Sequence, residues 1–160
     1  MEVATALAER GAPSGSVVVA DFQSAGRGTH GREWVATPGS ALLFTVLGRP
    51  KVEARELESL PLRVANAVAH ALRSRIGLAC DIRPPNDLLV DGRKLCGVLC
   101  TSRVVGNDVQ WVLVGIGLNT RMSAAQLPLA SATSLTVEDC AFPRHDQLLE
   151  WLLEELTFLR

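Results

Sequence analysis

The chain has 160 residues, 48% of them apolar and 21% charged, which suits one domain with a buried core and excludes intrinsic disorder. Sixteen Lys and Arg residues against 17 Asp and Glu give a formal charge of −1, too little for general nucleic-acid binding. No apolar run reaches the roughly 18 residues of a membrane span, and the four cysteines form no CxxC pair. We therefore expect one cytoplasmic domain over residues 1–160, with reduced structural cysteines and with neither nucleic acid nor membrane as a partner.

The first half of the chain alternates helical and extended patterns. A helix, a buried strand, a polar glycine-rich loop and a second strand are predicted over residues 2–10, 16–21, 22–40 and 41–47. The helix is expected to carry Val3, Leu7 and Ala8 on one side and to end at Gly11.

The second half predicts a helix, four strands and a final helix, over residues 62–75, 79–83, 88–90, 94–101, 109–116 and 146–159. The Asp91-Gly92 pair is the strongest short hairpin signal, and Gly106-Asn107 supplies the next turn of a three-stranded antiparallel meander. Asp146 is expected to cap the last helix. The order predicts an α+β fold in which one mixed, largely antiparallel sheet is covered by helices.

The loop from Gly26 to Trp34 contains GxGxxG, but no helix pattern follows it, so the dinucleotide-binding interpretation fails. Arg32-Glu33 stands where a P-loop requires Lys-Ser/Thr, so that interpretation fails as well. Glycines can nevertheless bring backbone N–H groups to an anion, and Arg27 and Arg32 add charged donors. The alternative is a flexible surface loop with solvated arginines.

Two further segments carry polar or glycine signals. Asn86-Asp87 offers oxygen ligands suited to Mg²⁺, and Lys94 follows on the returning strand of the predicted hairpin. Ordinary turn residues and an edge-strand lysine are the alternative. Gly115 and Gly117 interrupt a strand, which indicates either close approach of a ligand or a β-bulge.

Together these segments resemble the catalytic domain of biotin protein ligases, in the biotin/lipoate protein ligase family. The motifs GRGxxGRxW, KWPND, GRKLxGxL and GxGxN correspond here to residues 26–34, 83–87, 92–99 and 115–119, with shorter matches at 20–23 and 132–135. The resemblance covers nearly the whole chain. It implies a class II synthetase-like α+β catalytic domain.

The resemblance also implies an ATP-dependent enzyme. It activates biotin as biotinoyl-AMP and transfers it to a lysine of a biotin carboxyl carrier domain of a biotin-dependent carboxylase. No side-chain nucleophile is needed, so His30, His70 and His145 are expected to be non-catalytic. A lipoate or octanoate ligase of the same fold and a non-catalytic biotin- or adenylate-binding relative are the alternatives.

By the same resemblance, Lys94 and Arg27 are the expected catalytic residues. The expected biotin- and adenylate-binding residues are Gln23, Gly26, Arg27, Gly28, Arg32, Trp34, Lys94, Gly97, Gly115 and Gly117. The expected nucleotide-binding residues are Asn86, Asn119 and Arg83, and Mg²⁺ is assigned to Asp87 and Asn86. A core aromatic is the alternative role for Trp34.

The match to the family also has gaps. Met1 falls on the third position of the family's Ser-Thr-Asn/Met motif, so the Ser-Thr pair and the strand before it are absent, as is the C-terminal SH3-like barrel. Arg83 replaces the usual Lys, Pro84 a Trp and Thr101 a Glu. No helix-turn-helix is expected, and hence no repressor role. Exposed sheet edges leave a homodimer open.

Overall fold

The computed structural model describes residues 1–159, with the exception of the side chain of His30. Three helices are present, α1 (Glu2–Glu9), α2 (Leu60–Ile76) and α3 (His145–Glu155). Six strands are present, β1 (Val17–Ala20), β2 (Ala41–Gly48), β3 (Asp81–Arg83), β4 (Asp87–Val90), β5 (Arg93–Val105) and β6 (Asp108–Asn119). None of the helices in the described range is long and apolar enough to cross a bilayer.

The strands form one sheet in the order β1-β2-β6-β5-β4-β3, and every neighbouring pair is antiparallel. A single parallel bridge, Lys94 to Ala132, is recorded outside the named strands of residues 1–159. The predicted α+β fold, its largely antiparallel sheet and the β4-β5-β6 meander are confirmed. Asp91 and Gly92 have φ values of +47° and +74°, the left-handed pair that a two-residue hairpin turn requires.

Strand alternation gives the sheet two different faces. Leu42, Phe44 and Val46 of β2 point into the main core beneath α2 and α3. The opposite face receives α1, whose Ala4 and Ala8 pack against a smaller cluster of apolar side chains, Leu47, Trp111 and Leu113. Beyond α1, this second face carries Gly97, Gly115 and Gly117, and the candidate site lies there.

Helix α1 packs on the sheet through small residues, and the predicted burial of the first strand is wrong. Helix α1 buries Ala4 and Ala8, while Val3 and Leu7 are 62% and 38% exposed. Small side chains let the helix lie close to the sheet, which turns the larger ones outward. Strand β1 is an edge strand with Val19 53% exposed, because only β2 flanks it.

Helix ends and cysteines follow the sequence with one exception. Helix α2 ends at Gly77, whose φ is +72°, as predicted. Asp146 is not the cap of α3; it lies within the first turn, where its charge still favours the helix dipole. All four cysteines are free, and burial raises the pKa of Cys80 to about 11 and that of Cys100 to about 12, so both are thiols at neutral pH.

Candidate functional site

The floor of the site is a patch of sheet without side chains. Gly97 of β5 pairs directly with Gly117 of β6, and Gly115 follows on the same face. A Cβ atom at Gly117 would lie 2.6 Å from Cε2 of Trp34, and one at Gly97 would lie 3.0 Å from its Cζ3. The glycines therefore allow the Trp34 indole to lie directly on the backbone. The β-bulge alternative is wrong, because the register through Gly115 and Gly117 is continuous, and the group that approaches the backbone here is the protein's own Trp34 ring, so the approach of a ligand stays a prediction.

The glycine-rich loop is folded back on itself as a narrow turn. The Gly28 N–H donates to the Arg32 carbonyl at 2.7 Å, and the Trp34 N–H donates to the Gly26 carbonyl at 3.0 Å. Gly26 is buried, and a Cβ there would collide with the Trp34 carbonyl oxygen. The motif glycines thus serve to bring Trp34 over the sheet.

The loop arginines lie at the surface. The Arg27 guanidinium is 3.1 Å from a carboxylate oxygen of Glu2, in a pair whose side chains are 72% and 86% exposed. Arg32 donates to the carbonyl and the hydroxyl of Thr29. Water screens such exposed pairs, so both cations remain available to an incoming anion.

The hairpin cations are held differently. Asp87, with a side chain only 6% exposed, has one oxygen 2.6 Å from Lys94 Nζ and the other 2.8 Å from the Arg83 guanidinium. Burial alone would raise the pKa of the Asp87 carboxyl, but the hydrogen bond from Arg83 and the adjacent Lys94 ammonium hold it below its usual value. Asp87 is therefore an anion shared by two cations.

A β-bulge aims Lys94 at the site. Leu88 pairs with Cys96 and Leu89 pairs with Lys94, so Leu95 is an extra residue without a partner in β4. One extra residue reverses the alternation of side chains, which brings Lys94 to the face of Gly97 while Cys96 points into the core. The Lys94 ammonium lies 5.6 Å from the centre of the Trp34 ring.

Two buried asparagines border this region. The Asn86 amide donates to the Val98 carbonyl at 2.7 Å, and the Asn119 amide donates to the Thr133 carbonyl at 2.9 Å. The Oδ1 oxygen of Asn119 is buried and has no hydrogen-bond partner within the described chain. An unpaired buried acceptor is costly, so this oxygen is suited to a ligand that donates a hydrogen bond.

Two cavities meet at these groups. The first, of about 50 Å³, lies over the glycine floor and includes Met1, Gln23 and Thr45 in its lining. The second, of about 190 Å³, is lined in part by Arg83 and Asn119. The residues common to both linings are Gly28, Thr29, Trp34 and Lys94. Trp34 and Lys94 therefore form the wall between two adjoining cavities.

The structure brings the predicted site residues together. Gln23, Arg27, Asn86, Gly97, Gly115 and Gly117 line the first cavity, Arg32, Arg83 and Asn119 line the second, and Gly28, Trp34 and Lys94 line both. Gly26 and Asp87 line neither cavity. Gly26 packs against the backbone of Trp34, and Asp87 contacts the Lys94 ammonium.

Two of the predicted non-catalytic histidines have structural partners. His70 pairs with Glu155, and His145 bonds Thr120. Both lie outside these two cavities, whereas the side chain of His30 lies outside the described part of the chain.

The sequence prediction missed Met1 and Thr45. Thr45 lies opposite Gly115 in the β2–β6 ladder, and the thioether of Met1 is 3.6 Å from its hydroxyl. Sulfur is a weak acceptor, so the buried Thr45 hydroxyl keeps most of its hydrogen-bonding capacity. Alternation along β2 would have placed Thr45 here had the pairing of β2 with β6 been known.

Asp87, one of the two residues predicted to hold Mg²⁺, does not fit that role. Both of its oxygens are engaged by cations, whereas the Asn86 hydrogen bond to Val98 is made by the amide nitrogen and not by the oxygen that would bind a metal. A dication beside Asp87 would meet Lys94 and Arg83, which repel it. Within residues 1–159, no group of three or more His, Cys, Asp or Glu side chains is arranged to hold a metal ion.

Comparison with known proteins gives a consistent result. The sequence profile of the Biotin/lipoate A/B protein ligase family matches residues 3–119. The chain is 34% identical over 122 residues to a bifunctional ligase/repressor BirA of Bacillus spizizenii, covering 76% of this chain and 38% of that protein. It is 42% identical over 113 residues to a biotin–[acetyl-CoA-carboxylase] ligase of Paracoccus denitrificans, covering 66% and 45%. The chain thus spans less than half the length of these two curated relatives.

Among solved structures, the fold resembles the biotin protein ligase of Aquifex aeolicus in complex with biotin and ATP. The TM-score is 0.76 at 27% identity, over 96% of this chain and 63% of that one. The similarity therefore extends over nearly the whole length of this chain.

Proposed function

Because the chain belongs to the Biotin/lipoate A/B protein ligase family, we propose that it is an ATP-dependent ligase that forms biotinoyl-AMP and then transfers the biotinoyl group to a protein lysine. The observation that carries this proposal is the shared wall of Trp34 and Lys94 between the two cavities. A reaction that joins two small molecules requires adjoining compartments with a common boundary. The names of the relatives and the bound biotin and ATP of the Aquifex aeolicus structure support the same assignment.

In the first step, a carboxylate oxygen of biotin bonds to the α-phosphorus of ATP as the bond to pyrophosphate breaks. Two anions must approach each other, so positioning and charge neutralisation dominate the catalysis. Lys94 lies on the boundary and would neutralise the carboxylate and the α-phosphate together. Arg27 would add a second cation from the loop. No protein nucleophile takes part.

The first cavity is the proposed biotin site. Its glycine floor admits a flat ring system, and Gln23 and Thr45 supply polar groups among apolar neighbours such as Leu43. Its volume of about 50 Å³ is well below the roughly 300–1,000 Å³ of ordinary ligand sites. Biotin would therefore displace the side chain of Trp34 or Met1 as it enters.

The second cavity is the proposed nucleotide site. The unpaired Asn119 Oδ1 offers an acceptor for the amino group of adenine. Val35 and Leu129, which are 54% and 65% exposed, supply apolar surface for the base. Arg32 and Arg83 would contact the phosphates. Because both Asp87 oxygens are engaged by Lys94 and Arg83, the proposed chemistry uses no magnesium ion bound to Asp87.

In the second step, the lysine amine of the partner attacks the acyl carbon, and AMP leaves. The partner proposed is the biotin carboxyl carrier domain of a biotin-dependent carboxylase, as the name of the Paracoccus denitrificans relative suggests. The free edges of β1 and β3 keep the homodimer a prediction. A cytoplasmic location likewise remains a prediction, based on the free cysteine thiols.

The test is ATP–pyrophosphate exchange with biotin, lipoate or octanoate, followed by transfer to a carrier domain. We expect exchange with biotin alone, and an unchanged rate in the control Lys51→Met, since Lys51 lines neither cavity. Exchange with lipoate or octanoate but not with biotin would show that the substrate is the fatty-acid-derived acid and not biotin. Calorimetric binding of biotin without exchange would identify a non-catalytic binding protein and refute the proposal.

A further inference from the structure

The chemistry proposed above places a reactive acyl-adenylate beside a lysine of the protein itself. Lys51 and Lys94 are the two lysines of the sequence, and Lys94 lines both cavities. A free amine at that point would be the nearest nucleophile to the activated carboxyl group. The site therefore needs a means of keeping Lys94 from accepting the acyl group.

We propose that Asp87 is a positioning residue that pins Lys94 as an ammonium ion in the wall between the cavities, so that Lys94 neutralises charge and is not itself acylated. This inference rests on the proposed ligase function. It gives Asp87 a role that replaces the metal ligation predicted from the sequence.

The geometry of Asp87 supports this role. Its Oδ1 is 2.6 Å from Lys94 Nζ, and the contact is an ion pair rather than an aligned hydrogen bond. Its Oδ2 accepts from Arg83 at 2.8 Å. Because Arg83 holds one oxygen, the carboxylate remains in place even when Lys94 moves. The Asp87 side chain is 6% exposed, so its carboxylate is shielded from water, whereas the side chains of Lys94 and Arg83 are 29% and 55% exposed.

The lysine is restrained along its whole length. Its backbone N–H donates to the Ser131 carbonyl at 2.7 Å, and its carbonyl accepts from the Thr133 N–H at 2.8 Å. Its Cε and Nζ would each lie 3.2 Å from a Cβ at Gly97, so the chain runs across the bare floor toward Asp87. The ammonium is thus fixed between Asp87 and the Trp34 ring.

The reaction that this arrangement opposes is a simple acyl transfer. An unprotonated Lys94 nitrogen would attack the acyl carbon of biotinoyl-AMP. A C–N amide bond would form, the bond to the phosphate oxygen would break, AMP would leave and the nitrogen would lose one proton. An ammonium nitrogen has no free electron pair and cannot begin this attack. The ion pair of 2.6 Å keeps the Lys94 nitrogen against Asp87 and away from the acyl carbon.

The test uses the full chain and Asp87→Asn, which keeps the shape of the side chain and removes its charge. Chemically synthesised biotinoyl-AMP is added, and peptide mass spectrometry measures acylation at Lys94 relative to Lys51, the exposed internal control. We expect the Lys94-to-Lys51 ratio to rise about tenfold in the variant, because the Lys94 nitrogen is no longer held against Asp87 and can reach the acyl carbon. Exchange should fall about 100-fold because Lys94 is misplaced.

Two further variants separate positioning from folding. Asp81→Asn removes an exposed carboxylate from β3 and is expected to leave both the ratio and the exchange rate unchanged. Asp87→Glu keeps the charge and should restore part of the exchange and lower the ratio again. The proposal would be overturned if wild type and a folded Asp87→Asn variant, shown by a cooperative thermal unfolding transition, had the same Lys94-to-Lys51 acylation ratio. A ratio in Asp87→Glu as high as in Asp87→Asn would also overturn it.

The outcome also separates this inference from the ligase assignment. Acetic anhydride labels amines without any binding site, so the same Lys94-to-Lys51 ratio tests the ion pair even in a chain that shows no exchange. A wild-type chain without exchange but with a protected Lys94 would refute the ligase function and retain the role of Asp87. If Asp87→Asn instead required about ten times more Mg²⁺ than wild type for ATP–pyrophosphate exchange, the result would indicate that Asp87 binds a metal ion.

Discussion

The glycine-rich loop and the β4–β5 hairpin both bring cations to one site, but they hold them in opposite ways. In the loop, Arg27 is 72% exposed and pairs with Glu2, which is 86% exposed. In the hairpin, Lys94, together with Arg83 from β3, converges on Asp87, which is 6% exposed. The loop cations remain in water until an anion arrives, whereas the hairpin cation is already fixed in place.

This difference separates two kinds of contribution to the same chemistry. Exposed pairs contribute about 0–1 kcal/mol to stability, so Arg27 is free to exchange Glu2 for a ligand carboxylate or phosphate. Removing one partner of a buried pair is costly, so Lys94 and Asp87 are constrained by the fold as well as by the function. Loop variants should therefore affect activity alone, and hairpin variants both activity and stability.

The largest expected effect comes from Lys94→Met, which keeps the length of the side chain and removes its charge. We expect pyrophosphate exchange to fall by about 10³-fold, since one preorganised charge is lost at the reacting atoms. The free energy of unfolding should fall by about 1–3 kcal/mol, because Asp87 retains Arg83 as a partner. Lys51→Met is the control in both assays. Exchange within tenfold of wild type would refute the role of Lys94.

The next effect concerns Arg27→Met in the loop. We expect the acyl-adenylate to be retained about 10- to 100-fold more weakly, the usual cost of one charged hydrogen bond. The free energy of unfolding should change by less than about 0.5 kcal/mol. Arg55→Met removes another exposed ion pair, remote from both cavities, and is the matched control. If Arg27→Met lowered the free energy of unfolding as much as Lys94→Met does, the loop cation would be as important for stability as the hairpin cation, and the proposed difference between them would be wrong.

The smallest expected effect is on the pH dependence of stability. Burial alone would raise the pKa of Asp87, but Arg83 and Lys94 hold it below the usual value, so the folded state favours the ionised form. This contribution is complete above the ordinary carboxyl pKa of about 3.9 and is lost as the pH falls through the lower folded value. Urea titrations measure the free energy of unfolding at each pH. Between pH 7 and pH 3, this free energy should fall further in wild type than in Asp87→Asn, with a difference of less than about 1 kcal/mol.

The exposed pair of the loop provides the contrast for that experiment. Glu2→Gln should follow the wild-type curve closely, because water screens the charge of Glu2 in the native state. Curves for wild type and Asp87→Asn that remain parallel down to pH 3 would show that Asp87 is not a buried, charge-paired anion.

The sequence predicted the elements of this site better than their contacts. The Asp91-Gly92 turn, the glycines of β6 and the spacing of the motifs are local features, and each occurs where it was predicted. The role of Asp87 was not predictable in the same way. An Asn-Asp pair before a hairpin is compatible with a metal site or with an ion pair, and the choice depends on which side chains face it.

Local sequence alone determined the order of helices and strands, the hairpin turn and the residue types gathered at the site, because turn chemistry and apolar periodicity act over a few neighbouring residues. The tertiary structure alone decided that α1 turns Val3 and Leu7 outward, that Thr45 lies beside Gly115 and that one extra residue at Leu95 directs Lys94 to Asp87. These outcomes depend on the register between strands that are distant in the chain. A shift of one residue would move every such side chain to the opposite face.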